Sequence, residues 1–246
     1  MPTKSLTFIA TKSSGRVSAL LMKPRDAQCL LVLAHGAGAG MKHPFMESIC
    51  SLLGENHVAT FRYQFPYMEN GTKRPDPKPV LHATVRSAVE QATKLADGLP
   101  IFAGGKSMGG RMTSAAASDS PLEGVKGIIF FGFPLHPAGA PSTSRADHLS
   151  SVRVPMLFLQ GTRDTLADLS LLKPVCHGLG KKATLHVIDG GRPFIPCVEK
   201  VREDRCGGSG RACSSEFHMG TVSPLTHYLL LPTPRFTFSL QSPPTR

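Results

Sequence analysis

Short apolar runs recur along this chain, and segments of helical spacing separate them. "CLLVLA", "HVATFRYQF", "PIFAGG", "VKGIIFFGFPL", "VPMLFLQ" and "ATLHVI" are strand-sized and bounded by glycine, proline or polar residues. Between them, Phe45, Met46, Ile49, Leu52 and Leu53 recur at helical intervals over residues 44–53. Val85, Val89, Ala92 and Leu95 line one face of a second helix, "MGGRMTSAAAS" opens a third, and residues 166–179 form a fourth despite Pro174. "LTFIAT" and "VSALLMKP", on either side of Gly15, read as an opening hairpin. Strands that are apolar at nearly every position have no wet face. Alternating with helices, they predict an α/β fold with a mostly parallel central sheet covered on both sides. In such sheets ligands sit beyond the carboxyl ends of the strands. Three strands here end in residues capable of chemistry: His35 with its glycines, Ser107, and Asp164.

Size and charge narrow the function classes. A chain of 246 residues with 41% hydrophobic residues suits one α/β domain. No run approaches the roughly 18 apolar residues that a membrane helix needs, and no secretory leader is visible, so the expected location is the cytoplasm. The net charge of +11 raises nucleic-acid binding. The positive residues are scattered, however, and no basic run interleaves with aromatics, so a solvated surface is expected and no nucleic-acid partner. Cys29, Cys50 and Cys176 fall in apolar or helical segments and read as packed free thiols, while Cys197, Cys206 and Cys213 lack zinc-ligand spacing. No metal cluster or nucleotide fingerprint points to a cofactor.

The stretch from Gly105 to Gly109, "GKSMG", fits G-x-S-x-G. Glycines permit a tight turn from strand to helix, and the turn lifts the serine hydroxyl above the sheet. Ser107 is therefore either a nucleophile or a turn serine that only packs. The amide of Met108, at the helix start, can face a developing oxyanion, and the amide of Gly36 or Ala37 can supply the second donor. "GKS" also invites a phosphate-loop reading, but the first glycine of G-x-x-x-x-G-K-S is absent from "LPIFAGGKS". His35 either braces its loop or serves as a base. Asp164 either orients a histidine or caps the helix that follows. His136 and His148, in "HPAGAPSTSRADHL", are expected to line the cleft or the surface. The long loop "PYMENGTKRPDPKP" has the length of a functional segment.

Five motifs in order, "LAHGAGAGM", "ATFRYQFPYMENG", "GGKSMGGRM", "FFGFPLHPAGAP" and "FLQGTRD", resemble the KANL3/Tex30 branch of the α/β-hydrolases, near the dienelactone hydrolases. The resemblance spans about residues 5–190. It implies an α/β-hydrolase core with Ser107 as nucleophile and Asp164 as acid. It also implies a histidine just after "HVIDG", in a segment like Ala-Asp-His-Ser-Phe.

No such histidine follows. From Gly191 the chain reads "GRPFIPCVEKVREDRCGGSGRACSSEF", helical periodicity stops, and three of the six cysteines appear. Back-translation offers a cause. Gly191 to Val198 can be written GGC CGA CCA TTC ATT CCA TGT GTT. Skipping one base turns this into Ala-Asp-His-Ser-Phe-His-Val, and Val198 to Gly210 can continue as Leu-Lys-Arg-Ser-Gly-Lys-Thr-Asp-Ala-Glu-Val-Leu, a plausible helix start. A one-base frameshift near codons 190–191 is the hypothesis. It divides the chain into a hydrolase domain, residues 1–190, and an aberrant tail, residues 191–246. His218 and His227 lie in that tail and could substitute only by coincidence.

Two readings follow. One is a serine hydrolase acting on a small-molecule ester or acyl compound, impaired in this chain by the missing histidine. The other is a non-catalytic interaction protein on a hydrolase scaffold, since the resembled family includes a subunit of a chromatin-modifying complex.

Overall fold

The computed structural model describes residues 1–189. Eight strands form one sheet: β1 (Thr3–Thr11), β2 (Gly15–Met22), β3 (Cys29–Ala34), β4 (Val58–Tyr63), β5 (Ile101–Lys106), β6 (Val125–Phe131), β7 (Met156–Gly161) and β8 (Ala183–Ile188). Their order across the sheet is β1-β2-β4-β3-β5-β6-β7-β8. The β1–β2 and β2–β4 pairs are antiparallel, and every pair from β4 to β8 is parallel. The predicted α/β class and mostly parallel sheet are therefore observed.

Two-sided burial explains the continuous apolar strands. Along β3, Leu30, Val32 and Ala34 face one core while Cys29, Leu31 and Leu33 face the other. On the first face lie α3 (Lys78–Leu95), α4 (Met108–Asp119) and α5 (Leu169–Gly178), which contribute Val85, Ala92, Met112 and Leu172. On the second lies α1 (Pro44–Glu55), with Phe45, Met46, Ile49 and Leu53 packed inward. A fully buried leucine or phenylalanine of this kind contributes about 1.5–3 kcal/mol. Cys29, Cys50 and Cys176 are buried free thiols, as expected of packed cysteines, and burial raises the pKa of each.

The loops hold more structure than their composition suggests. "PYMENGTKRPDPKP" contains a one-turn helix, α2 (Pro66–Glu69), and already enters α3 at Lys78. Proline misleads here: Pro66 opens α2 and Pro79 lies in the first turn of α3, where the missing N–H costs nothing. "HPAGAPSTSRADHL" runs into a 3₁₀ segment, Ser144–Ser151. The helix expected over 166–179 begins at Leu169, because Asp168 caps it by accepting the Ser170 N–H at 2.8 Å. Among the described residues no helix is long and apolar enough to cross a membrane. The tail over 191–246, with Cys197, Cys206, Cys213, His218 and His227, lies outside the described residues.

Candidate active site

Ser107 alone joins β5 to α4 and takes φ 48° and ψ −115°. That conformation is strained for any residue with a Cβ and costs about 1–3 kcal/mol. Two backbone hydrogen bonds hold it. Ser107 N–H donates to Phe131 O at 3.2 Å, and Arg111 N–H donates to Ser107 O at 3.1 Å. The flanking glycines let α4 start directly above the sheet. A Cβ on Gly105 would lie 2.4 Å from Ala34 O, and one on Gly109 would lie 2.5 Å from His35 O. These close approaches between β3, β5 and α4 are the physical reason for glycine at both positions.

The expected oxyanion donors lie next to this turn. Met108 is the first residue of α4, so its N–H has no acceptor within the helix. The Gly36 loop rests on the residue before Ser107, since a Cβ on Gly36 would meet Lys106 O at 3.5 Å. The neighbouring loop groups are already engaged. Gly36 O accepts from His35 Nδ1 at 2.8 Å, and Gly38 N–H donates to Tyr67 Oη at 3.3 Å.

His35 is a brace. Its Nδ1 faces Gly36 O, and its Nε2 accepts the Phe65 N–H at 3.1 Å. Both ring nitrogens are used, so the imidazole is neutral with its proton on Nδ1, and burial pushes its pKa down to about 4. His136 repeats the design: Nδ1 faces Pro137 O at 2.9 Å, and Nε2 accepts the Asp168 N–H at 2.9 Å. It is buried and ties the loop after β6 to the segment after β7, so the expectation that it lines the cleft or surface is corrected. His148 is half-buried against α4, with its Nε2 2.8 Å from Ser114 Oγ. Burial, followed by the Arg111 charge, lowers its pKa to about 4.

Asp164 follows β7 and is buried. One carboxylate oxygen accepts from Gln160 Nε2 at 2.8 Å and the other from the Leu166 N–H at 2.9 Å. The local turn bond does not exhaust it, because each oxygen can accept a second donor. Gln160 is fixed in turn by accepting the Phe133 N–H at 2.8 Å. Asp164 also lies against the neighbouring strand end, where a Cβ on Gly132 would be 3.3 Å from its Oδ2. Ser107 and Asp164 thus cap β5 and β7, two strands apart. At the usual strand spacing that is about 10 Å, room for one imidazole between them. Strand β8 pairs with β7 up to Gly161↔Ile188, and Thr162 N–H donates to Ile188 O at 3.0 Å. The chain therefore leaves β8 at Asp189 beside the loop that carries Asp164.

Three further side chains beside Ser107 or Asp164 were not singled out by the sequence. Gln160 orients Asp164, and its signal was a polar residue inside the apolar run "MLFLQG". Lys106 lays its stem along Gly36 and holds its ammonium 4.7 Å from the Phe45 ring centroid. Burial lowers the Lys106 pKa against the opposing pull of Asp164, and the Lys106 charge adds to burial in lowering that of His43. Arg111 sits one turn beyond Ser107 on α4 with its Nε buried and unpartnered among the described residues.

The wider comparison agrees with this layout. The chain is similar to a dienelactone hydrolase from Anabaena variabilis, at 15% identity, TM-score 0.65, and 93% coverage of this chain and 95% of that one. It is also similar to an alpha-beta serine hydrolase homologue from Coxiella burnetii, at 16% identity, TM-score 0.65, and 94% and 97% coverage. A lidless α/β serine hydrolase from Xanthomonas campestris matches at 19% identity, TM-score 0.62, and 78% and 87% coverage. At such identities the likeness establishes the fold. Residues 27–196, more than half of the chain, match the family described as "Alpha/beta hydrolase domain", and the chain belongs to that family.

Proposed function

We propose that this protein derives from a serine hydrolase acting on a small ester or related acyl compound. Ser107 attacks the acyl carbon, and the amides of Met108 and of Gly36 or Ala37 hold the oxyanion. Asp164 orients a histidine that takes the serine proton and passes it to the leaving group. No step calls for a metal or cofactor. The observation that carries this reading is the strained Ser107 turn, which stores conformational energy where a packing serine would need none.

The histidine is the open position. The two buried imidazoles at strand ends, His35 and His136, each use both ring nitrogens in bracing. The family resemblance implies a base just after β8, and the chain leaves β8 beside the loop that carries Asp164. We assign it to the segment after Gly190 in the alternative frame, Ala-Asp-His-Ser-Phe. The likeness to the KANL3/Tex30 branch and a cytoplasmic location belong to the same proposal. As written, the chain is an impaired hydrolase. A non-catalytic scaffold role is the second reading, favoured by the occupied imidazoles.

A fluorophosphonate probe tests both, because it reacts with an activated serine. We expect slow labelling of the chain as given and fast labelling of a chain with one base removed near codon 191, lost in each case with Ser107→Ala. A folded frame-restored chain that stays unlabelled would overturn the hydrolase reading and leave the scaffold. Sequencing the coding DNA over codons 185–215 decides the frame directly, and a base string unable to encode the histidine segment would sink that part.

A further inference from the structure

The two peptide units that flank Ala37 are both held by groups outside that residue. Gly36 O accepts from His35 Nδ1 at 2.8 Å and from the Ala39 N–H at 3.4 Å, which closes a turn over Gly36–Ala39 with Gly38 at φ 67°. A trans peptide points its C=O and N–H in opposite directions, so holding Gly36 O also aims the Ala37 N–H. On the far side of Ala37, the Gly38 N–H donates to Tyr67 Oη at 3.3 Å. That bond keeps the Ala37–Gly38 peptide from flipping. Between the two anchors, the Ala37 N–H makes no hydrogen bond among the described residues.

Tyr67 is itself immobilised. It is buried, and it lies in α2, a helix of one turn. So short a helix has no cooperative stability of its own, and other bonds must fix the phenol. The Tyr67 N–H donates to Asp76 Oδ2 at 2.8 Å. Tyr67 O accepts from the Thr72 N–H and from the Thr72 hydroxyl, each at 2.8 Å. Its ring centroid lies 5.9 Å from that of His35, and it stacks on Phe65 at 6.3 Å.

We propose that Tyr67, anchored by Asp76, is a positioning residue that locks the Gly36–Ala39 turn and so presets the Ala37 N–H as an oxyanion donor. The catalytic consequence rests on the hydrolase reading, while the lock itself stands without it. A donor fixed in advance needs no reorganisation when charge develops. The long segment "PYMENGTKRPDPKP" supplies both Tyr67 and Asp76, and buttressing the turn is its role.

The first readout is amide hydrogen exchange in the full chain, followed by NMR. Tyr67→Phe removes only the hydroxyl, and exchange at Gly38 should speed up about tenfold or more, with the β5 and β7 amides unchanged. Asp76→Ala should also speed it by releasing Tyr67, and Asp76→Asn less, because it keeps an acceptor oxygen. The Asp76 variants carry the test if Tyr67→Phe fails to fold. The second readout is fluorophosphonate labelling of Ser107, in which the phosphoryl oxygen takes the oxyanion position. Tyr67→Phe should lower the limiting rate about tenfold and leave the half-saturating probe concentration unchanged. A loss of stability alone would not move the limiting rate of the folded chain. Unchanged Gly38 exchange in both Tyr67→Phe and Asp76→Ala would overturn the lock. Faster Gly38 exchange with an unchanged labelling rate would overturn the positioning role. Faster exchange in a chain whose Ser107 stays unlabelled in either frame would keep the lock and refute the hydrolase.

Discussion

Replacing Gly109 by alanine sets two effects of opposite sign against each other. Alanine is the better helix former by about 1 kcal/mol, and Gly109 lies in the first turn of α4. The added methyl, however, would sit 2.5 Å from His35 O and 2.6 Å from Ala34 O. Comfortable contacts need about 3.5 Å, so the helix start must retreat by something near an ångström. Both obstructing atoms are backbone carbonyls at the end of β3, so no rotamer change offers relief. Overpacking of this kind costs about 1–3 kcal/mol, and rigid partners place it at the upper end. The net expectation is a loss of about 2 kcal/mol, or about 4–8 °C in melting temperature for a domain of this size. Thermal and urea unfolding followed by circular dichroism measure it. Gly178→Ala is the opposing control: it sits in the last turn of α5, its added methyl meets no described atom within 4 Å, and it should gain up to about 1 kcal/mol. If Gly109→Ala were neutral or stabilising, α4 would not be seated on β3 as described, and the placement of Ser107 and the Met108 amide would fall with it.

Other perturbations probe separate parts of the same design. Ser107→Gly should be more stable than Ser107→Ala by about 1 kcal/mol or more, since only glycine relaxes at φ 48°; equal unfolding midpoints would mean that the turn is unstrained. Because His35 titrates near 4 when folded and near 6.5 when unfolded, its contribution is complete above about pH 6.5 and is lost as the pH falls toward 4. That is a loss of up to about 3 kcal/mol. His35→Gln should flatten the fall in melting temperature between pH 7 and 4, and an unchanged slope would refute the brace. Gln160→Leu, tested in the frame-restored chain, should slow fluorophosphonate labelling about tenfold or more by releasing Asp164, whereas an unchanged rate would show that Asp164 needs no such support.

Much of this architecture was legible because period and residue type agreed. The strands read as continuous apolar runs since both faces are covered, and the same fact made them easy to tell from amphipathic segments. Ser107 and the glycines around it were readable because the turn demands them sterically. Asp164 was readable as a lone acid after a buried strand. What escaped notice depended on long-range packing. Gln160 touches Asp164 through a hydrogen bond that no local pattern encodes. Pro66 and Pro79 suggested loop where they open helices, because proline's local signal is the same in a turn and in a helical first turn. His136 read as a cleft or surface residue because nothing in "LHPAG" announces that Asp168 supplies its second partner.

Under the proposed serine-hydrolase function, the two bracing histidines are excluded as the proton acceptor by the bonds they already make. Each imidazole holds two loops together by donating from one ring nitrogen and accepting at the other, and neither can take a serine proton without breaking a backbone bond. The proposed base lies on the segment after β8, and β8 pairs with β7 up to Ile188, beside the loop that carries Asp164. Ser107, the Gly36 loop and Asp164 are built into the sheet and its crossings. Under the frameshift proposal the histidine depends on what is translated after Asp189, where one base would remove it without touching the scaffold.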